Sequence, residues 1–381
     1  MKPIVILGSG LAGYTVAREL RKLDTHTPLH IITADDGRFY SKPMLSNALG
    51  KGMRPEQLAS ADSAKMAADL NATLWTDTRV TAMDANAHTL IARGETVEYA
   101  KLVLALGAEP VRPPLQGNAA AEVCSVNDLM DYTRFRRALE GKKRVAVIGG
   151  GLIGCEFAND LRAAGFLVDV ISPGKAPLDR LIPEQAGHAL EKALANLGVT
   201  WHLGNTVKAV DKRDSGYRLT LADAAVIEVD VVLSAVGLRP RTELARDAGL
   251  EVNRGIVVDR QLRTSHPDIY ALGDCAEVAG LVLPFVMPLM NCARALAKTL
   301  AGEPTPVSYP AMPVLVKTPA HPVVVSPPPL SGTGQWEVEV REDGVRALFY
   351  DAAHTLRGMA LTGSAVAEKT VWIKELPVVL A

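Results

Sequence analysis

Two glycine-rich hexapeptides, Gly8-Ser9-Gly10-Leu11-Ala12-Gly13 and Gly149-Gly150-Gly151-Leu152-Ile153-Gly154, share glycine at their first, third and sixth positions. Each follows a short apolar run, Ile4 to Leu7 or Val145 to Ile148, and each opens a helical pattern. Missing side chains in such a turn let backbone N–H groups at a helix N-terminus approach a pyrophosphate, which the helix dipole favours by about 0.3–1 kcal/mol. The chemistry is dinucleotide binding, and the chain carries it twice. Ser9, Gly10, Leu11 and Ala12 form the first contact set; Gly149, Gly151, Leu152, Ile153 and Gly154 form the second. Two sites in one chain read as a flavoprotein, with FAD on the first and a nicotinamide nucleotide on the second.

Two carboxylates fit that reading. Asp35 stands at the end of the second apolar run, Leu29 to Thr33, where an acidic side chain accepts hydrogen bonds from a ribose diol. Asp274 ends the run Ile269-Tyr270-Ala271-Leu272-Gly273-Asp274, which puts an acceptor for a ribitol chain at the carboxyl edge of a sheet. Leu283-Pro284-Phe285-Val286-Met287 then delivers a helix predicted to start at Pro288 and stop before Gly302. Backbone near Val286 would face negative charge developing on a reduced flavin.

These residues need two parallel α/β sheets to hold them. The first βαβ unit has helical apolar spacing at Val16, Ala17, Leu20 and Leu23; the second has a helix through Leu161, a strand over 167–171 and a further strand from Val229 to Ala235. The proline-rich stretch Pro110 to Pro114 reads as a linker, and from Tyr309 the pattern changes to strand-like alternation, as in Gln335 to Val340. The predicted fold class is α/β: two Rossmann-like dinucleotide-binding domains plus a small α+β C-terminal domain. The predicted boundaries are 1–109 with 241–308 for a discontinuous FAD-binding domain, 110–240 for the NAD-binding domain and 309–381 for the last.

Composition removes other classes. With 381 residues, 48% hydrophobic and 22% charged, the chain can bury more than one core. A net charge of −1 with scattered basic residues gives no attraction to nucleic acid or to an anionic membrane. No apolar stretch long enough to span a bilayer is present, and Met1-Lys2-Pro3 runs directly into the first strand, so a cytoplasmic enzyme is expected. The four cysteines, Cys124, Cys155, Cys275 and Cys292, form no Cys-x-x-Cys pair and no metal-ligand spacing, so no metal is expected.

The order of these pieces resembles the two-dinucleotide-binding flavoprotein reductases of the glutathione-reductase-like superfamily over the whole chain. Tyr40-Ser41-Lys42-Pro43-Met44-Leu45-Ser46 is similar to that family's segment beside the flavin, which implies Lys42 as a basic residue near the isoalloxazine or pyrophosphate. The resemblance likewise implies Glu156 near flavin and nicotinamide, and adenine contacts from Val80 and from Thr33-Ala34. The resemblance implies a cysteine pair in the disulfide reductases, after the first strand pair or in the nicotinamide domain, and a single cysteine in the NADH oxidases and peroxidases where this chain has Ser46-Asn47; neither thiol is present here. Without one, hydride enters the flavin and electrons leave directly to a protein carrier.

Pro313-Val314-Leu315-Val316-Lys317-Thr318-Pro319-Ala320-His321-Pro322 resembles the characteristic segment of the rubredoxin reductases that feed alkane hydroxylation, which implies Lys317 close to the flavin. The catalytic set on this reading is Lys42, Glu156 and Lys317, the cofactors are FAD and NADH, and the partner is a rubredoxin, a small acidic protein met by a basic face centred on Lys42 and Lys317. The alternatives are a reductase of flavorubredoxin in nitric oxide detoxification, a ferredoxin reductase of another oxygenase, and an NADH-responsive FAD-binding switch with little turnover. Ser172, at the end of the second strand of the second unit, selects neither NADH nor NADPH.

Overall fold

The computed structural model describes residues 1–329 and 332–381. Its first sheet is parallel and five-stranded, in the order Ile269–Ala271, Lys101–Leu104, Ile4–Leu7, Leu29–Ile32, Thr73–Trp75. Ile4 lies opposite both Leu29 and Lys101, so the central strand is paired on both edges and every one of its residues is buried. That burial explains the uninterrupted apolar run rather than an alternation. Helices Leu11–Arg21 and Val286–Leu300 pack together on this sheet. Tyr14, fully buried, donates its hydroxyl to the carbonyl of Gly37 at 2.6 Å and so fixes the loop that carries Asp35.

The second sheet repeats the plan in the order Cys124–Ser125, Val231–Ser234, Arg144–Ile148, Leu167–Ser172, Val199–Leu203. An antiparallel pair, Ala108–Pro110 against Leu238–Pro240, carries the chain out to this sheet and back. Each parallel sheet has a three-stranded antiparallel companion: Val80–Asp84, Thr89–Ala92 and Glu95–Glu98 in one case, Val207–Arg213, Gly216–Leu221 and Val226–Val229 in the other.

Residues 229–235, read from sequence as one strand, divide at Asp230. Val229 pairs with Tyr217 in the antiparallel companion, whereas Val231 pairs with Val145 in the parallel sheet. Asp230 Oδ2 accepts the N–H groups of Lys143 and Arg144, both at 2.8 Å, and pins the break. The helix expected at Pro288 starts two residues earlier, at Val286, because proline is tolerated throughout a first turn whose N–H groups have no intrahelical acceptor.

The C-terminal sheet is antiparallel, in the order Val314–Val316, Val323–Ser326, Leu356–Gly363, Gly344–Asp351, Gly334–Val340. Its period-2 pattern separates two faces. Val323, Val325 and Val345 join Phe157, Leu161 and Leu45 in the core shared with the second sheet's helices, while Val324 and Leu361 form a small core of their own. Each fully buried valine or leucine contributes roughly 1.5–3 kcal/mol, so this face anchors the C-terminal sheet and holds Lys317 in place.

Candidate functional site

The two glycine cradles are built alike. Gly8 has φ +113° and Gly149 has φ +114°. A Cβ on Gly8 would stand 2.3 Å from the carbonyl oxygen of Ala105, and one on Gly149 would stand 2.6 Å from that of Ala235. The sixth positions are closed by the same contact: a Cβ on Gly13 would lie 1.9 Å from the oxygen of Gly8, and one on Gly154 would lie 1.9 Å from that of Gly149. At the third positions the situation reverses, for a Cβ on Gly10 or Gly151 would meet nothing within 4 Å.

Gly10 and Gly151 are also the N-caps of helices Leu11–Arg21 and Leu152–Ala163, and neither helix has a side-chain cap. Uncapped N–H groups over an open glycine are what a pyrophosphate requires. The residues present fit a dinucleotide at both places. Beside the first cradle Asp35 is held in place, its Oδ1 engaged by the hydroxyls of Ser9 at 2.6 Å and Thr33 at 2.7 Å and by the N–H of Gly37 at 3.0 Å. Its Oδ2 accepts nothing among the described residues, which leaves one oriented acceptor. Thr78 donates its N–H to the oxygen of Thr33 at 2.8 Å, so the start of the strand at Val80 runs beside Thr33 and the exposed Ala34.

Asp274 lies in the turn Gly273–Cys275 at the carboxyl end of Ile269–Ala271. Gly273, at φ +78°, approaches Ala12 closely, its built Cβ being 3.0 Å from that of Ala12. Lys42 Nζ donates to Asn127 Oδ1 at 2.8 Å and stands 3.7 Å from Asp274 Oδ2. Asn127 in turn donates to the oxygen of Ala108 at 2.9 Å, which ties the linker strand to the lysine. Val286 begins its helix with the side chain exposed and its N–H outside the intrahelical ladder.

Three segments meet at Glu156. Its Oε1 accepts the N–H of Lys317 at 2.9 Å, and its Oε2 accepts the Ser46 hydroxyl at 2.5 Å together with the Lys317 ammonium. The Glu156 side chain is 4% exposed and that of Lys317 is 23% exposed. A carboxylate taken so far out of water is tolerated only with its charge paired and its lone pairs used. The two lysines expected at the centre of a basic docking face both have partners: Lys317 is paired with Glu156, and Lys42 is held by Asn127 and Asp274.

Sequence reasoning missed the neighbours of Glu156. Asn159 Oδ1 accepts the N–H of Ala320 at 3.1 Å, while Asp160 accepts those of Leu49 and Gly50 at 3.0 and 2.8 Å. Both residues are buried, and burial raises the Asp160 carboxyl above its ordinary value. One helix face, through positions 156, 159 and 160, therefore fastens the segments 46–50 and 317–320. The available signal was a polar set at i, i+3 and i+4 among the apolar Cys155, Phe157, Ala158 and Leu161.

Cys155, Cys275 and Cys292 are buried, and desolvation pushes the last two up to about 11, so each stays protonated at neutral pH. His88, His266 and Asp268 offer ligand atoms within 4.8 Å of one another. Cysteine spacing gave no hint of this group; it lies at the amino ends of the strands, the opposite edge from the cradles.

The sequence of this chain matches the pyridine nucleotide-disulphide oxidoreductase family over residues 2–297 and a rubredoxin-binding C-terminal domain over residues 306–376. A rubredoxin-NAD(+) reductase from Alcanivorax borkumensis is 54% identical over 381 residues, covering 100% of both chains. A nitric oxide reductase FlRd-NAD(+) reductase from Aliivibrio fischeri is 38% identical and covers 98% of each chain. The crystal structure of a ferredoxin reductase from Rhodopseudomonas palustris superposes with a TM-score of 0.88 at 27% identity, over 99% of this chain and 96% of that one. Two matched cradles, the buried glutamate paired with Lys317 and these full-length likenesses lead to one conclusion: the chain belongs to the pyridine nucleotide-disulphide oxidoreductase family, in its rubredoxin-NAD(+) reductase branch.

Proposed function

We propose that this chain oxidises NADH, passes the electrons through one bound FAD to a rubredoxin, and in the cytoplasm supplies an alkane hydroxylase. The observation that carries the reading is the presence of two open glycine cradles in a chain whose buried thiols stay protonated. FAD, when bound, would supply the two-electron to one-electron conversion that a nicotinamide donor and a one-electron carrier require.

On this reading the first cradle, through Ser9, Gly10, Leu11 and Ala12, binds the FAD pyrophosphate, with Asp35 Oδ2 toward the adenosine ribose and Asp274 toward the ribitol. Thr33, Ala34 and Val80 would border the adenine, and the N–H of Val286 would be the donor available to the flavin pyrimidine edge. Lys42, oriented by Asn127, supplies positive charge beside Asp274. The second cradle, through Gly149, Gly151, Leu152, Ile153 and Gly154, binds NADH. Glu156 holds the Lys317 side chain in one orientation between the sheets and excludes water from that junction.

Steady-state reduction of cytochrome c by NADH, with and without purified rubredoxin, tests this. The rate is expected to rise many-fold with rubredoxin; a rate indifferent to it would sink the proposal, and an absence of turnover would favour the switch reading. The likeness to the Aliivibrio fischeri protein supports a second reading, a flavorubredoxin as acceptor. Comparing kcat/KM for rubredoxin and for flavorubredoxin separates the two, and reconstitution with an alkane hydroxylase tests the downstream assignment. No helix among the described residues is long and apolar enough to cross a membrane.

A further inference from the structure

Strand Leu167–Ser172 ends where a dinucleotide in such a sheet presents its adenosine ribose. The ordinary selector at that point is a strand-terminal carboxylate, which accepts both hydroxyls of a 2′,3′-diol and repels a 2′-phosphate. Ser172 offers only a hydroxyl, buried and close over the cradle, 2.8 Å from the position of a Cβ on Gly150.

The next residues fold back over the same spot. Leu178, at φ +59°, donates its N–H to the oxygen of Gly150 at 2.9 Å, and Gly204 donates to the oxygen of Gly174 at 2.9 Å. This double tether sets Asp179 over Gly174. A Cβ there would stand 2.3 Å from Asp179 Oδ2 and 3.0 Å from Oδ1, so in this conformation the carboxylate lies directly against the Gly174 backbone. Asp179 is exposed and makes no hydrogen bond or ion pair among the described residues. Lys175 and Arg180, the neighbouring cations, are exposed as well. Their long side chains lose more rotamer freedom on engaging a ligand than a short aspartate fixed by its backbone does.

We infer that Asp179 recognises the adenosine ribose diol of NADH and rejects the 2′-phosphate of NADPH, doing from the loop what Ser172 cannot do from the strand. The inference rests on the second cradle being the NADH site. Gly174, with no side chain of its own, leaves the carboxylate room to lie against the backbone there.

The test is calorimetric and needs no turnover. FAD-loaded protein is titrated with ADP-ribose and with its 2′-phosphate, and the ratio of the two affinities is compared between wild type and Asp179→Asn. The wild type is expected to prefer ADP-ribose. In the variant, ADP-ribose should bind about tenfold more weakly, as on loss of a charge-assisted hydrogen bond, while the 2′-phosphate should bind more tightly beside Lys175 and Arg180. An unchanged flavin spectrum shows that the exposed substitution left the fold intact. A ratio in Asp179→Asn equal to that of wild type would overturn the assignment of Asp179 alone. Failure of wild type to bind either ligand would overturn the second cradle as a nucleotide site, and this inference with it.

Discussion

Glu156 and Lys317 form a pair whose two halves are unequal. Removing the ammonium leaves a carboxylate that is 4% exposed without its counter-charge, whereas removing the carboxylate leaves an ammonium that still reaches water at 23% exposure. Lys317→Met should therefore cost about 3–5 kcal/mol of stability and Glu156→Gln less, about 1–3 kcal/mol. Thermal denaturation of the FAD-loaded variants checks the order, and an equal fall in Tm would contradict it. Both residues were legible one at a time, each through the motif it follows. Their contact was not, because 161 positions separate them and no periodicity links them. Asn127 was invisible for the same reason: an isolated asparagine reaches Lys42 across 85 positions.

At the scale of elements, helix Leu152–Ala163 does two jobs, opening the second cradle at Gly151 and fastening two other segments through Glu156, Asn159 and Asp160. Asp160 gives the helix a pH signature. Burial raises its carboxyl above the ordinary 3.8, against the backbone N–H groups of Gly50 and Leu49 that favour the charge. A carboxyl raised in the folded state contributes fully below its unfolded value and loses that contribution as pH rises through its folded value. Asp160→Asn should thus gain stability relative to wild type as pH increases above 3.8, read by urea denaturation across a pH series; parallel curves would refute it. The strands were legible because a parallel sheet buried on both faces demands unbroken apolar runs. The division at Asp230 was not, since one charged residue between Val229 and Val231 is equally compatible with a single strand that turns one side chain outward.

At the scale of the whole molecule, the same cradle is used on two separate sheets, so the two nucleotides should be separable by single methyl groups. Gly10→Ala adds its Cβ in open space at φ −63°; the chain should fold, with FAD affinity reduced at least about tenfold, or about 1.4 kcal/mol. Gly13→Ala, 1.9 Å from the oxygen of Gly8, should instead disrupt the βαβ unit itself. Gly151→Ala should retain FAD and lose NADH affinity. Flavin content after gel filtration, circular dichroism and NADH titration distinguish the three, and loss of FAD from Gly151→Ala would contradict separate sites. The most direct test of electron flow from NADH through flavin to rubredoxin is anaerobic rapid mixing. Protein reduced by NADH is mixed with oxidised rubredoxin, and both chromophores are followed. The flavin band should return as the rubredoxin colour fades, with two rubredoxins reduced for each flavin reoxidised. A flavin that NADH bleaches but that stays bleached in the presence of rubredoxin would contradict the account.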